Sequence, residues 1–171
     1  MTTRVILTVL GSDRPGLTQT LADAVLAAGG NWLESHLSRL GGKYVGSVLV
    51  ELDEVRVASL EAAVQSIDPA GLQVALVPAG EEPAQAGTGL EVELVGQDRP
   101  GIVREVTSVL ARIGANIEEF ESGAEPGAWS GEPLFRARAR ITLPPETDAD
   151  QVRDALEAIS GEIMVDFTFG G

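Results

Sequence analysis

Gly11-Ser12-Asp13-Arg14-Pro15-Gly16 and Gly96-Gln97-Asp98-Arg99-Pro100-Gly101 are two forms of one hexapeptide, 85 positions apart. The spacing holds downstream without a gap, because Gly29-Gly30-Asn31 is matched by Gly114-Ala115-Asn116 at the same offset of 85. A single shared Asp-Arg-Pro-Gly is weak. Two copies in register, each with an Asn 18 residues after the Asp, mark an internal repeat, and a repeat decides the architecture before any single element does.

Working outward from the first hexapeptide, Arg4 to Leu10 is a short β-branched run that reads as a buried strand. Pro15 suits the first position of a helix, where a missing N–H costs nothing. Leu17, Leu21, Val25 and Ala28 recur at helical spacing, which predicts a helix over 15–28 with one face in a core. Gly29-Gly30 ends it, and Asn31 opens the next strand. Trp32 to Leu40 and Tyr44 to Leu52 are strands joined by the hairpin signal Gly41-Gly42-Lys43. Val57, Leu60, Val64 and Ile67 form a second helical face, and Leu72, Val74 and Leu76 alternate as a last strand. The order β-α-β-β-α-β is the ferredoxin-like arrangement.

The second copy follows the same order. Leu90 to Val95 is a strand. Ile102, Val106, Val109, Leu110 and Ile113 line a helix, and Ala115 to Ser122 and Leu134 to Leu143 are strands. Val152, Ala155, Leu156 and Ile159 line the last helix, and Ile163, Val165, Phe167 and Phe169 alternate as the last strand. Gly123 to Pro133, with Trp129, reads as a long mobile excursion between the middle strands. Pro78 to Gly89 is rich in Pro, Gly and Ala and lacks apolar periodicity, so it reads as linker. The expected organisation is α+β: two ferredoxin-like domains over 1–79 and 89–171, with antiparallel sheets and a linker over 80–88.

Composition narrows the function. The 171 residues are 44% hydrophobic and 22% charged, as in a globular protein. The net charge is −14, with 5 basic and 10 acidic residues in 1–86 and 7 basic and 16 acidic in 87–171. A chain this acidic repels phosphate backbones, so direct nucleic-acid binding is not expected. The absence of cysteine excludes disulfides, thiolate metal sites and Cys nucleophiles. No apolar run approaches the roughly 18 residues of a membrane helix, and the N-terminal run is too short for a signal segment, so a cytoplasmic location is expected. No Ser-His-Asp or metal-ligand constellation accompanies the lone His36, so neither catalytic residues, metal nor cofactor are expected. The sheet also lacks the aromatic pair of an RNA-reading ferredoxin-like fold.

The chemistry that remains sits at the repeated turn. A helix start offers unpaired N–H groups and the positive end of the helix dipole, a ready place for a carboxylate or phosphate. Gly16 and Gly101 let a ligand approach the backbone. Asp13 and Asp98 can accept from an ammonium group, and Asn31 and Asn116 add polar side chains. The candidate ligand residues are therefore Gly11, Asp13, Gly16, Leu17 and Asn31, with Gly96, Asp98, Gly101, Ile102 and Asn116 in the second copy. That set is a recipe for a free amino acid. The competing reading for either turn alone is ordinary helix-start chemistry. Arg136, Arg138 and Arg140 share one strand face, and Glu119 and Glu121 on the partner strand could pair with them. Cross-strand charge pairing outweighs an anion site there.

The strand, Gly-x-Asp-Arg-Pro-Gly, helix, Gly-x-Asn, strand pattern resembles the ACT domain, over residues 4–77 and 89–169. Two such copies with nothing else resemble the glycine cleavage system transcriptional repressor group. The long second hairpin, leaving through Gly131-Glu132-Pro133-Leu134-Phe135, resembles it as well. The resemblance implies antiparallel sheets joined side by side, and a non-catalytic regulatory protein that senses a small amino acid of the glycine or serine class at a domain interface. It implies action through a protein partner, a transcription factor or an enzyme, and is compatible with a homodimer. In serine-sensing members an Asn in the turn and an Asn after the helix bind the ligand. The second matches Asn31 and Asn116, whereas Asp13 and Asp98 stand in place of the first. A regulatory subunit of an amino-acid biosynthetic enzyme is the alternative, and an acylphosphatase-like enzyme ranks third.

Overall fold

Two compact units, Met1–Glu82 and Pro83–Gly171, make up the chain in a computed structural model that describes residues 1–68, 71–81, 86–127, 131–159 and 163–168. The first contains β1 (Thr2–Ser12), α1 (Leu17–Ala27), β2 (Asn31–Leu40), β3 (Lys43–Asp53), α2 (Val57–Gln65) and β4 (Leu72–Pro78). The second contains β5 (Thr88–Gln97), α3 (Ile102–Arg112), β6 (Asn116–Pro126), β7 (Pro133–Leu143), α4 (Ala149–Glu157) and β8 (Met164–Thr168). The sheets are antiparallel, in the orders β2-β3-β1-β4 and β6-β7-β5-β8. Each is the ferredoxin-like topology expected from the repeat.

Strand alternation explains the layering. Val5, Leu7 and Val9 of β1 and Val48, Val50 and Leu52 of β3 are buried on the helix side, with Leu21, Val25 and Leu60 above them. In the second domain Leu90, Val92, Leu94, Ala137, Ala139 and Ile141 form that face under Val106, Leu110, Val152 and Leu156. The strand period of two and the helix period of 3.6 thus put the same few apolar types into one layer. Ile67 and Ile159 lie just past the ends of α2 and α4 yet still pack on the cores.

Both second strands carry a register shift at the same repeat position, between Trp32 and Glu34 and between Ile117 and Glu119. The extra residue, Leu33 or Glu118, bends the strand after its first turn of pairing. The β2–β3 hairpin closes through Gly41 and Gly42, both at positive φ (58° and 76°), as a two-residue hairpin turn requires.

The structure changes two local expectations. The first helix begins at Leu17, not Pro15, because Pro15-Gly16 forms the turn before it. The first part of the excursion expected over Gly123 to Pro133 is ladder: Gly123, Ala124, Glu125 and Pro126 pair with Arg136, Phe135, Leu134 and Pro133. A hydrogen bond from the Gly127 N–H to the Glu132 carbonyl (3.0 Å) narrows it further. Composition alone suggested a loop, but pairing satisfies the backbone groups that a loop would leave to water. Trp129, Phe169 and part of the expected linker, residues 82–85, lie outside the described residues, as does the side chain of Phe167.

The end of β1 is tightly built. A Cβ on Gly11 would stand 2.4 Å from the Gly71 carbonyl oxygen and 2.7 Å from a Leu72 methyl, and the Ser12 N–H donates to that same carbonyl at 2.9 Å. Gly11→Ala is expected to lower stability by about 1–3 kcal/mol through overpacking, read as a lower urea midpoint at unchanged slope.

Candidate functional site

The repeated hexapeptide is a turn whose geometry explains its sequence. Gly16 has φ 86° and ψ −1°, and Gly101 has φ 89° and ψ −3°. These are the angles of the third residue of a type II turn, where proline favours the second position and glycine the third. The Ile102 N–H closes the second copy's turn on the Arg99 carbonyl at 3.3 Å. The carbonyls of Gly16 and Gly101 then accept the first helical bonds, from Thr20 (2.9 Å) and Glu105 (3.0 Å). No side chain caps either helix, so its first-turn N–H groups are not claimed by a capping carboxylate or hydroxyl. A Cβ on Gly16 or Gly101 would meet nothing within 4 Å, so the space beyond each turn is open.

The candidate residues divide by role. Leu17 and Ile102 are 3% exposed and anchor the helix starts in the cores. They offer a ligand backbone only, and the Ile102 N–H is already engaged. Gly11 serves the close approach to Gly71, and Gly96 is buried opposite Phe135 in the β5–β7 ladder. Asp13 and Asp98 are exposed in the turns, but their surroundings differ. The Asp13 carboxylate is ion-paired with Arg39, which comes from the far end of β2. The repeat offset puts Ala124 where Arg39 stands in the first copy, and among the described residues no side chain pairs with Asp98.

The turn arginines also diverge. Arg14 reaches Asp68 at 3.2 Å, and Asp68 accepts from the Gly71 N–H at 3.1 Å, which ties the turn to the start of β4. Arg99 makes a two-pronged contact with Glu105 on α3, at 2.9 and 2.5 Å. That hydrogen bond, ahead of the Arg99 charge, holds the Glu105 carboxyl below its usual pKa. The Thr18 and Tyr44 hydroxyls, 2.5 Å apart, complete the wall beside the first turn. Arg39, Thr18 and Tyr44 were not singled out in the sequence. Counting hairpin register back from Gly41-Gly42 would have put Arg39 and Tyr44 at the turn end of the sheet, since Arg39 pairs Tyr44 and Gly11 pairs Tyr44.

Asn31 and Asn116 lie at the other end of their domains. Asn31 is in register with Glu51 and hence Arg4, whereas the turn follows Ser12, eight residues along β1. Asn116 is in register with Thr142 and hence Gly89, eight residues from Gln97. Eight strand residues span roughly 27 Å. Within one domain the Asp and the Asn therefore cannot touch the same amino acid.

The arginine row on β7 is neutralised where it stands. Arg136 pairs with Glu125 (3.4 Å), Arg138 with Glu93 (2.8 Å), and Arg140 with Glu118 and Glu119 (3.3 Å each). The hydrogen bond and charge of Arg138 hold Glu93 below its usual pKa, and Glu93 raises that of Arg138. Glu121 faces Arg138 in register, as expected, but Glu93 from β5 takes the ion pair. His36 is exposed and contacts Glu34 at 3.0 Å. Among the described residues no group of three or more His, Cys, Asp or Glu could hold a metal ion, and no helix is long and apolar enough to cross a membrane.

A family model for the ACT domain matches residues 3–75 and 90–122, more than half of the chain. The chain belongs to the ACT domain family. This ACT protein is 24% identical over 166 residues to the glycine cleavage system transcriptional repressor of Escherichia coli (strain K12), covering 93% of this chain and 85% of the relative. A solved structure of an unknown protein from Galdieria sulphuraria is similar over 100% of both chains, with a TM-score of 0.80 and 29% identity. Another, provisionally assigned as a glycine cleavage system transcriptional repressor, matches over 99% of both chains at TM-score 0.72 and 16% identity, a likeness of fold.

The Arg99–Glu105 pair generates a pH prediction. A carboxyl whose folded pKa is lowered adds stability above its unfolded value of about 4.3, and that stability is lost as pH falls through the folded value. Glu105→Gln is expected to melt below the parent chain at pH 7, with the gap closing as pH falls below the unfolded value and through the lowered folded one. Thermal melts across that range check it.

Proposed function

We propose that this protein is a non-catalytic regulator that senses a small amino acid at its strand–helix turns and passes the signal to a protein partner. The observation that carries the reading is the twice-built turn: an open, uncapped helix start beside an aspartate, with glycine holding the backbone bare. The helix start suits the ligand carboxylate. The aspartate suits its ammonium, and Asp98 is the better acceptor because Asp13 is already engaged by Arg39. In the first copy Arg39 would instead offer a cation to a carboxylate. A ligand that also used Asn31 or Asn116 would need a second copy of the module to supply that half, given the separation within each domain.

The relative's name makes glycine the first ligand to test, with serine next. A protein partner fits better than DNA, because the densest basic row, Arg136, Arg138 and Arg140, is spent on glutamates and the chain carries −14. Affinity capture from a cell extract, with the amino acid present, separates the partner types. A transcription regulator supports this reading, and a biosynthetic enzyme would make the chain its regulatory subunit.

Calorimetry tests the sensing. Glycine or serine is expected to bind, glycolate to fail because it lacks the ammonium, and Asp98→Ala to weaken binding about tenfold, the loss of one charge-assisted contact. Asp13→Ala is expected to do less. Silence with every common amino acid sinks the proposal.

A further inference from the structure

The two sheets differ most on the face turned away from their helices. An antiparallel sheet with one solvated face normally alternates apolar-in and polar-out. The second domain obeys: its outer face carries Glu91, Glu93, Glu119 and Glu121 against Arg136, Arg138 and Arg140. The first domain does not. Ile6 and Leu10 of β1, Val45 and Leu49 of β3, and Ala75 and Val77 of β4 stand on its outer face. Leu10 is 48% and Val77 44% exposed, and no element of their own domain covers them. The contrast is positional. Ile6 is directly opposite Leu49, and at the equivalent register of the second domain Glu91 is directly opposite Arg140.

We infer that this face is an interface between two copies of the chain, packed sheet to sheet about a twofold axis. Charge selects a second copy as the occupant. On the face Arg4 and Lys43 balance Glu34 and Glu51, and the Met1 ammonium balances Asp53. The face is therefore neutral in a chain of net charge −14, and it is where two such chains approach with least repulsion. A neutral apolar patch is also self-complementary, as a twofold interface must be. The Arg4–Glu51 ion pair lies at one end of the patch and the Glu34–His36 contact on its β2 edge, while Thr8 opposite Ser47 separates the Ile6–Leu49 and Leu10–Val45 pairs.

Area sets the strength. Four strands by about six residues give a footprint of roughly 20 by 20 Å, so two copies bury on the order of 1,000 Å² once side-chain relief is counted. That is the low end of specific interfaces, and the dimer is accordingly weak and concentration-dependent.

Sedimentation velocity and light scattering on the full chain test this across micromolar to near-millimolar concentration. The parent chain is expected to move from monomer to dimer mass. Ile6→Glu with Leu49→Arg transplants the pair that the second domain already carries at this register, so the fold has a precedent for it. This variant is expected to need at least tenfold more protein to dimerise, while Leu26→Ser, on the exposed side of α1, changes nothing. If the double variant fails to fold, Leu10→Ser is expected to weaken the dimer several-fold. A parent chain that stays monomeric throughout overturns the inference, as does a dimer indifferent to these face substitutions. A monomer that instead captures a different protein through Ile6 and Leu49 also overturns it.

Discussion

A backbone that must turn through positive φ between the first strand and first helix is the constraint on which each domain depends. Gly16 and Gly101 hold that conformation, and the preceding prolines fix the residue before it. A side chain at either glycine would strain the backbone by roughly 1–2 kcal/mol. The turn aims α1 and α3 back across their sheets so that Leu21, Val25, Val106 and Leu110 land on the apolar strand faces. The same turn leaves the helix start without a side-chain cap. Structure and candidate chemistry therefore draw on one device, and the hexapeptide recurs because either use needs Pro-Gly at the same place.

Around that shared device the two copies have gone different ways. Asp13 is held by Arg39 and Arg14 by Asp68, which closes the first turn into a network with β2 and β4. In the second copy Arg99 folds onto its own helix through Glu105, leaving Asp98 outside the network. The outer sheet faces part in the same manner, one apolar and neutral, the other a lattice of glutamate and arginine. The solvated lattice adds little stability, because exposed ion pairs are screened and cost side-chain entropy. What it does is keep a sheet face in water and leave its arginines no free charge to offer phosphate.

Much of the fold was legible because periodicity and turn chemistry are local. The 85-residue offset, the glycine pairs that end strands and helices, and the alternation in β4 and β7 required no knowledge of contacts. Where reading failed, a long-range bond had outweighed local composition. Gly123 to Pro126 look like loop by residue type, yet the ladder with Pro133 to Arg136 makes them strand. Pro15 suits a helix start by propensity, but the positive φ of Gly16 puts the helix boundary two residues later. The candidate site was half legible: its residue types are visible in the chain, while their partners are set by register.

By itself the sequence determined that there are two copies of a β-α-β-β-α-β unit, where the special turn lies, and which side chains are available at it. These follow from spacing and backbone sterics, which act within a few residues. Only the tertiary structure decided that the aspartate and asparagine of one domain stand at opposite ends of a sheet, because a helix crosses the full strand length between them. It alone decided that Arg39 meets Asp13 while no described side chain pairs with Asp98, because ion pairing across strands depends on register and on which residue the hairpin carries back to the turn.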